Sequence, residues 1–340
     1  IRPKHQASDR AQSKAGYQET LVKGLPIPFY KQLRMGLPAK RELTRLWSKQ
    51  RPDIVHIATE GPLGWSALQV ARKMKLPVST DFRTNFHAYS SHYGIGWLSG
   101  AILSYMRKFH NTADATMVPT RQLANALAST GFERLHVVPR GIDTQLFSPT
   151  KRSPALRQSW NADADTVVML YVGRLAVEKN LEVVLQTYAM ARQQNKNTKL
   201  VLVGDGPLRH DLETSHPDVI FAGFKTGEDL AAHYASADMF VFASLTETFG
   251  NVTLEALASG TPVLAFDCAA ASDFVTHHKN GWLVDSNEPQ TYIQRALDIT
   301  HDTHTLGLAR EFTRASVAHL GWDEIAAQVE DIFQRTIEMG

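Results

Sequence analysis

Residues Ser244 to Pro262 read SLTETFGNVTLEALASGTP. The segment follows Met239-Phe240-Val241-Phe242, an apolar run with the length of a buried strand. It ends at Gly260, a helix stop, and Pro262 opens the next strand. Between them a polar loop carries Glu247, and Gly250-Asn251 stands where a helix bearing Glu255 should begin. A strand feeding a helix through a short polar loop is where parallel α/β proteins hold anionic and hydroxyl-rich ligands. The first helical N–H groups are unpaired there and the helix dipole is positive. Glu247 and Glu255 lie eight residues apart, one on the loop and one in the helix, and offer two carboxylates to one ligand at different depths. Carboxylates accept hydrogen bonds from paired sugar hydroxyls, so the expected ligand has a phosphate near Gly250 and sugars on either side. The plainer alternative makes both glutamates solvated charges that complement the helix dipole.

Outward from this segment, strand-like runs recur at 166–172, 199–203, 219–221, 262–265 and 282–284, with helical stretches between. Such alternation implies a parallel sheet with crossover helices. Gly173-Arg174-Leu175 follows the first of these strands, and Lys179-Asn180 opens the next helix. The spacing puts Arg174 and Lys179 on either side of one strand-to-helix loop, where a planar fork and a point charge both reach a single diphosphate. Gly204-Asp205-Gly206-Pro207 is a tight turn in which Gly204 permits close approach to a ligand. Arg209 holds the third place of a G-x-G-x-x-G fingerprint, which argues against a dinucleotide oxidoreductase. Asp163-Ala164-Asp165 mimics a metal-binding D-x-D, yet it precedes its strand and reads as a solvated turn. No cluster has metal-ligand spacing, so no metal and no cofactor are expected.

The first half repeats the pattern. Residues 3–30 read as polar loop, and Pro38 to Gln50 as a helix with Leu43, Leu46 and Trp47 on one face and Lys40, Arg41, Arg45 and Lys49 around it. Strands are expected at 53–57, 77–82, 115–118 and 135–138, with helices at 65–74, 98–109 and 122–128. Residues 141–164 read as an interdomain connection. Asp81-Phe82-Arg83-Thr84-Asn85-Phe86-His87 follows a strand, where α/β sheets place ligand contacts. Arg83 suits a phosphate and cannot serve as a base; His87 can titrate. Tyr89, Tyr93 and Trp97 beyond it fit an amphipathic acceptor-side element or core packing.

The 340 residues carry a net charge of +2, which hides an asymmetry. Residues 1–150 hold 21 Lys and Arg against 9 Asp and Glu, and residues 151–340 hold 15 against 25. A basic half suits an anionic partner such as a membrane surface, or two domains attracting each other across a cleft. The single Cys268 excludes an intramolecular disulfide and suits a reducing compartment. No run has the length of a membrane span, so work at a bilayer would need peripheral attachment, and a cytoplasmic location is expected. Ile1-Arg2-Pro3 is not an initiator start, and a first strand with its loop is expected to be missing ahead of it.

Glu247 to Pro262, with T-FGN-x-x-LEA-x-x-SG-x-PV between and after the glutamates, resembles the E-x7-E signature of retaining glycosyltransferases of the GT-B fold. GRLAVEKN at 173–180 resembles the GR-L-x-x-EKN/G segment of glycosyltransferase family 4, and GDGP at 204–207 resembles that family's turn. Where the family usually reads SYHTNF, this chain has Arg83 in the histidine's place. The resemblance implies an α/β, GT-B architecture of two Rossmann-like domains facing across a cleft, the first incomplete at its N-terminus. Residues 1–150 would form the acceptor-side domain, 151–320 the nucleotide-sugar domain, and 321–340 a helix packing back on the first. It implies a metal-independent, retaining hexosyltransferase close to GDP-mannose-dependent α-mannosyltransferases and related lipid glycosyltransferases. Its donor would be GDP-mannose or a UDP-hexose, its acceptor a lipid or glycan, and nucleic acid is not a partner. Glu255 would take the ribose hydroxyls, Glu247 the transferred sugar, and Thr248, Phe249, Gly250, Asn251 and Gly204 the donor and its phosphates. Arg174 and Lys179 would stabilise the leaving diphosphate, and Arg83 or His87 would fill the histidine's role. The rival readings are a non-catalytic nucleotide-sugar-binding remnant and a phosphorylase; the latter needs a cofactor lysine, and none stands out.

Overall fold

The computed structural model describes residues 1–340 apart from 7, 15, 28–29, 84–98, 246 and 340, with the side chains of 30–33 and 99 also left aside. The chain forms two compact units. The first comprises residues 1–119, 123–138 and 327–340, and the second residues 120–122 and 139–326. The boundary thus falls at Val138/Pro139, ahead of residue 150, because the connecting segment packs on the second unit. Within that segment the sequence Ser153-Pro154 starts a helix, Pro154–Ser159, whose N-cap Ser153 accepts from the Leu156 N–H. Arg152 and Arg157 from this connection both pair with Asp238 at 2.8 Å. The final helix, Trp322–Met339, is shared between the units: its residues from Ala327 onward count with the first.

The first unit holds a parallel sheet of β1 (Val55–Ile57), β2 (Val78–Asp81), β3 (Ala115–Val118) and β4 (Leu135–Val137), in the order β4-β3-β2-β1. Helix Lys40–Lys49 buries Leu43 and Trp47 against helix Pro62–Lys73 and Phe109, and leaves Lys40, Arg41, Arg45 and Lys49 exposed. Ile332 on the last helix packs with Ala115 and Met117. Residues 3–30 are more than loop. Arg2–Pro3 pairs with Leu21–Val22, Ser13–Lys14 with Tyr17–Gln18, and Gly24–Ile27 with Tyr30–Gly36. The first two ladders are two residues long and carry no readable alternation, and in the third Gly24 and Pro26 speak against a strand.

The second unit is built on β5 (Val167–Val172), β6 (Thr198–Val203), β7 (Ile220–Gly223), β8 (Met239–Phe242), β9 (Val263–Phe266) and β10 (Gly281–Val284). All pair in parallel, in the order β7-β6-β5-β8-β9-β10. Every residue of β5, β8 and β9 is buried, as expected of a parallel sheet covered on both faces by helices.

Candidate active site

The strand order of the second sheet fixes where a ligand can enter. The chain builds β5, β6 and β7 to one side, then returns to lay β8 beside β5. The loops leaving β5 and β8 therefore run to opposite faces and open a crevice at their carboxyl ends. Residues 173–180 form one wall, and residues 243–245 and 247–250 the other. Asn180 takes a left-handed conformation, φ +54°, and its side chain donates to the Ala243 carbonyl at 3.1 Å, tying the walls together.

Within this crevice Lys179 Nζ lies 2.5 Å from Glu247 Oε1, and Ser244 Oγ donates to the same oxygen at 2.9 Å. The two charged side chains keep only 19% and 16% of their surface exposed, so breaking the pair would leave a poorly solvated charge behind. Lys179 and Ser244 thus help to hold the Glu247 carboxylate in place. Arg174 sits differently. Its side chain is 62% exposed and pairs with Glu178 at 3.3 Å, on the rim of the same loop. The buried Tyr171 hydroxyl donates to the Arg174 carbonyl at 3.1 Å, and burial pushes its pKa up, which keeps it a donor.

Gly204 is required for a reason the sequence does not show. It adopts φ +140°, and a Cβ there would stand 1.9 Å from the Gly173 carbonyl oxygen. The glycine turn lies backbone to backbone on the Arg174 loop, with Leu175 N–H donating to the Asp205 carbonyl at 2.9 Å and Leu208 N–H to the Leu175 carbonyl at 3.0 Å. The close approach is to protein, and the turn supports the Arg174 loop from beneath.

Across the crevice, Gly250 caps helix Asn251–Ala258 with φ +89°, and Asn251 is exposed at its first position. Thr248 is half-buried. Phe249 is buried, meets Phe274 edge-on at 6.2 Å, and accepts the Ala270 N–H on its carbonyl. Its side chain is thus part of the core, which leaves only its backbone to face a ligand. Glu255 accepts a hydrogen bond of 2.8 Å from Tyr234, which is fully buried. Burial raises the Glu255 pKa, partly opposed by that hydrogen bond. Its Oε1 has no further partner among the described residues, which leaves an acceptor for a ligand hydroxyl. The two glutamates are therefore unlike: one is held by a cation, the other by a phenol.

In the first unit Arg83 pairs with Asp81, two residues back at the end of β2. His56 Nε2 stands 3.9 Å from the same carboxylate and Nδ1 2.9 Å from Ser79 Oγ. Burial lowers the His56 pKa, against the pull of Asp81. His87, Tyr89, Tyr93 and Trp97 lie outside the described residues. Among the described residues no group of three or more His, Cys, Asp or Glu side chains gathers as a metal site requires. Asp163 instead accepts from Thr166 Oγ1 at 2.6 Å within its own turn. Cys268 approaches the Ser244 carbonyl at 3.7 Å, and burial with the nearby Glu247 charge pushes its thiol up to about 11. Sequence reasoning missed Ser244, Asn180 and Tyr234. The first two stand inside the quoted stretches, at the start of SLTETFGN and the end of GRLAVEKN, but Tyr234 lies on a different helix and gives no local signal.

Two family models match the chain: "Glycosyltransferase Family 4" over residues 5–146 and "Glycosyl transferases group 1" over residues 166–302. A GDP-mannose-dependent α-mannosyltransferase of Mycobacterium tuberculosis is 34% identical over 90% of this chain and 80% of its own length. The chain belongs to glycosyltransferase family 4. The transferase is also 27% identical to the sulfoquinovosyl transferase SQD2 of Arabidopsis thaliana, over 91% of this chain and 62% of that one. Its fold is that of the GT-B glycosyltransferases, with two Rossmann-like domains. A sucrose-phosphate synthase from Thermosynechococcus elongatus superposes with a TM-score of 0.77 at 20% identity, covering 99% of this transferase and 88% of that chain. The Anabaena protein HepE, solved in complex with UDP and glucose, gives 0.71 at 20% identity over 93% and 85%.

Proposed function

We propose that this family 4 glycosyltransferase moves a mannosyl group from GDP-mannose to a lipid-linked acceptor with retention of anomeric configuration. The observation that carries the reading is the Lys179–Glu247 pair held across the switch point of a nucleotide-binding sheet. When the bond from the anomeric carbon to phosphate breaks, the sugar becomes cationic and the diphosphate anionic. Lys179, with Arg174 at the rim, stabilises the departing diphosphate; Glu247 accepts hydroxyls of the sugar and offsets its positive charge. Gly250 and Asn251 face the phosphates from the helix start, and Glu255 reads the ribose with the acceptor oxygen that Tyr234 leaves open. The acceptor hydroxyl attacks the same face and gives its proton to the leaving phosphate oxygen, so no protein base is needed, and Lys179 with Arg174 supplies the diphosphate's counter-charge in place of a metal. The exposed Lys40, Arg41, Arg45 and Lys49 attach the enzyme peripherally to an anionic membrane.

Three relatives named as GDP-mannose-dependent α-mannosyltransferases, at 32–34% identity, support the donor. The α-monoglucosyldiacylglycerol synthase of Streptococcus pneumoniae, 27% identical, supports a lipid acceptor. The test is a transfer assay with labelled GDP-mannose and UDP-glucose, in parallel, onto diacylglycerol and its glycosylated forms. Label should enter the lipid phase from GDP-mannose, and the one-bond carbon–proton coupling at the new anomeric centre should report the α configuration. Transfer from UDP-glucose alone would move the donor assignment; inversion would overturn the mechanism.

A further inference from the structure

A cavity of about 370 Å³ opens within the second unit, and none of its lining residues belongs to the loops around Lys179 and Glu247. Three segments bring cations or potential cations to it: Arg121 at the start of helix Arg121–Ser129, Lys279 in the turn before β10, and His319 beyond helix Thr303–Val317. Among the described residues, no carboxylate pairs with the side chain of Arg121 or Lys279. The one acid in the wall, Asp273, accepts the Arg121 backbone N–H at 3.0 Å.

The turn that carries Lys279 is firmly built. Buried Asn280 accepts the Thr276 N–H at 2.7 Å and donates to the Phe274 carbonyl at 2.9 Å, while His278 adopts φ +63°. Lys279 Nζ is held 5.3 Å from the centroid of Phe312, whose ring is 44% exposed. A cation held over an aromatic face, in one cavity with a guanidinium that no carboxylate pairs with among the described residues, is a half-made anion site. The volume matches that of small-molecule pockets. Phe312 and Phe274 offer apolar faces for a carbon skeleton, and Asp273 and Thr276 offer partners for hydroxyls.

We infer that this cavity binds a small hydroxylated phosphomonoester, of the size and chemistry of a sugar phosphate, with its phosphate on Arg121 and Lys279. A planar fork and a point charge suit the two sides of one phosphate. The wall residue Phe274 packs on Phe249, so the cavity shares a support with the loop that carries Glu247.

The experiment is calorimetric titration of glucose 6-phosphate, and separately of inorganic phosphate, into the full chain presaturated with GDP to occupy the donor loops. Glucose 6-phosphate should bind saturably, and more tightly than inorganic phosphate. Lys279→Met, which keeps the stem over Phe312, and Arg121→Gln should each weaken binding at least ~10-fold, as loss of one charge-assisted contact would. Lys179→Ala should leave it unchanged. Thermal melting of each variant checks that the fold is retained. Binding weaker than about 1 mM, equal binding of inorganic phosphate, indifference to both cavity substitutions, or loss of binding in Lys179→Ala would each overturn the proposal.

Discussion

The carboxyl ends of the two sheets use the same elements to different effect. In the second unit, Lys179 from the loop after β5 meets Glu247 from the loop after β8, residues 68 positions apart. Sheet topology brings them together, and burial makes the pair interdependent. In the first unit, Arg83 at the end of β2 finds its partner in Asp81, two residues away, and stays 58% exposed. A local, solvated pair contributes little, roughly 0–1 kcal/mol. A long-range pair at a switch point is held by the whole sheet and can be aimed at a ligand. The difference teaches that a cation at a strand end acquires a site only when a second strand end supplies its counterpart.

The sharpest way to break this comparison is kinetic. Lys179→Ala and Glu247→Ala should each lower kcat by roughly two to three decades with a much smaller change in KM, because in the proposed mechanism both groups act most strongly on charges that develop in the transition state. Arg83→Ala should cost markedly less in kcat; an equal loss would put the chemistry at both strand ends. Next in size is Gly204→Ala. With φ +140° and the Gly173 carbonyl in the way, it should destabilise the protein by about 3 kcal/mol and loosen nucleotide binding together. A melting curve that is unchanged would deny that the glycine turn supports the Arg174 loop.

A finer contrast separates the two glutamates. Burial raises the folded-state Glu255 pKa above the ordinary carboxylate value of 4.5, and a ribose hydroxyl is best accepted by the ionised form. Nucleotide affinity should therefore fall as pH drops from neutrality through that raised pKa, the carboxylate form being lost from above 4.5 downward. Glu255→Gln should weaken nucleotide binding more than Glu247→Gln and remove this pH dependence; a dependence that survives would place the ribose elsewhere. The smallest effect belongs to the basic helix Lys40–Lys49. Each exposed Lys or Arg should contribute about 1 kcal/mol to binding of anionic vesicles, weakening with salt. Cosedimentation that ignores salt would remove the membrane from the account.

Much of this was legible beforehand. Alternating runs gave both parallel sheets, and strand-to-helix loops singled out Lys179, Glu247 and Glu255. What escaped notice depended on distance or on brevity. Tyr234 supports Glu255 from another helix, and the need for Gly204 comes from the carbonyl of Gly173. Phe249 sits inside a polar motif yet faces the core, because its neighbour Phe274 arrives only through the fold. The two-residue ladders near the N-terminus are too short to show a period. The helix Pro154–Ser159, by contrast, was announced by Ser153-Pro154, a cap and first-turn signature that polarity of the surrounding connection obscured.

In the proposed mechanism the diphosphate is held where the loops after β5 and β8 meet. Calorimetric titration of GDP into the full chain, into Lys179→Ala and into Arg83→Ala tests it most directly. The account predicts at least ~10-fold weaker binding in Lys179→Ala, the loss of one charge-assisted contact, and unchanged binding in Arg83→Ala. Binding that is unchanged in Lys179→Ala and lost in Arg83→Ala would contradict it.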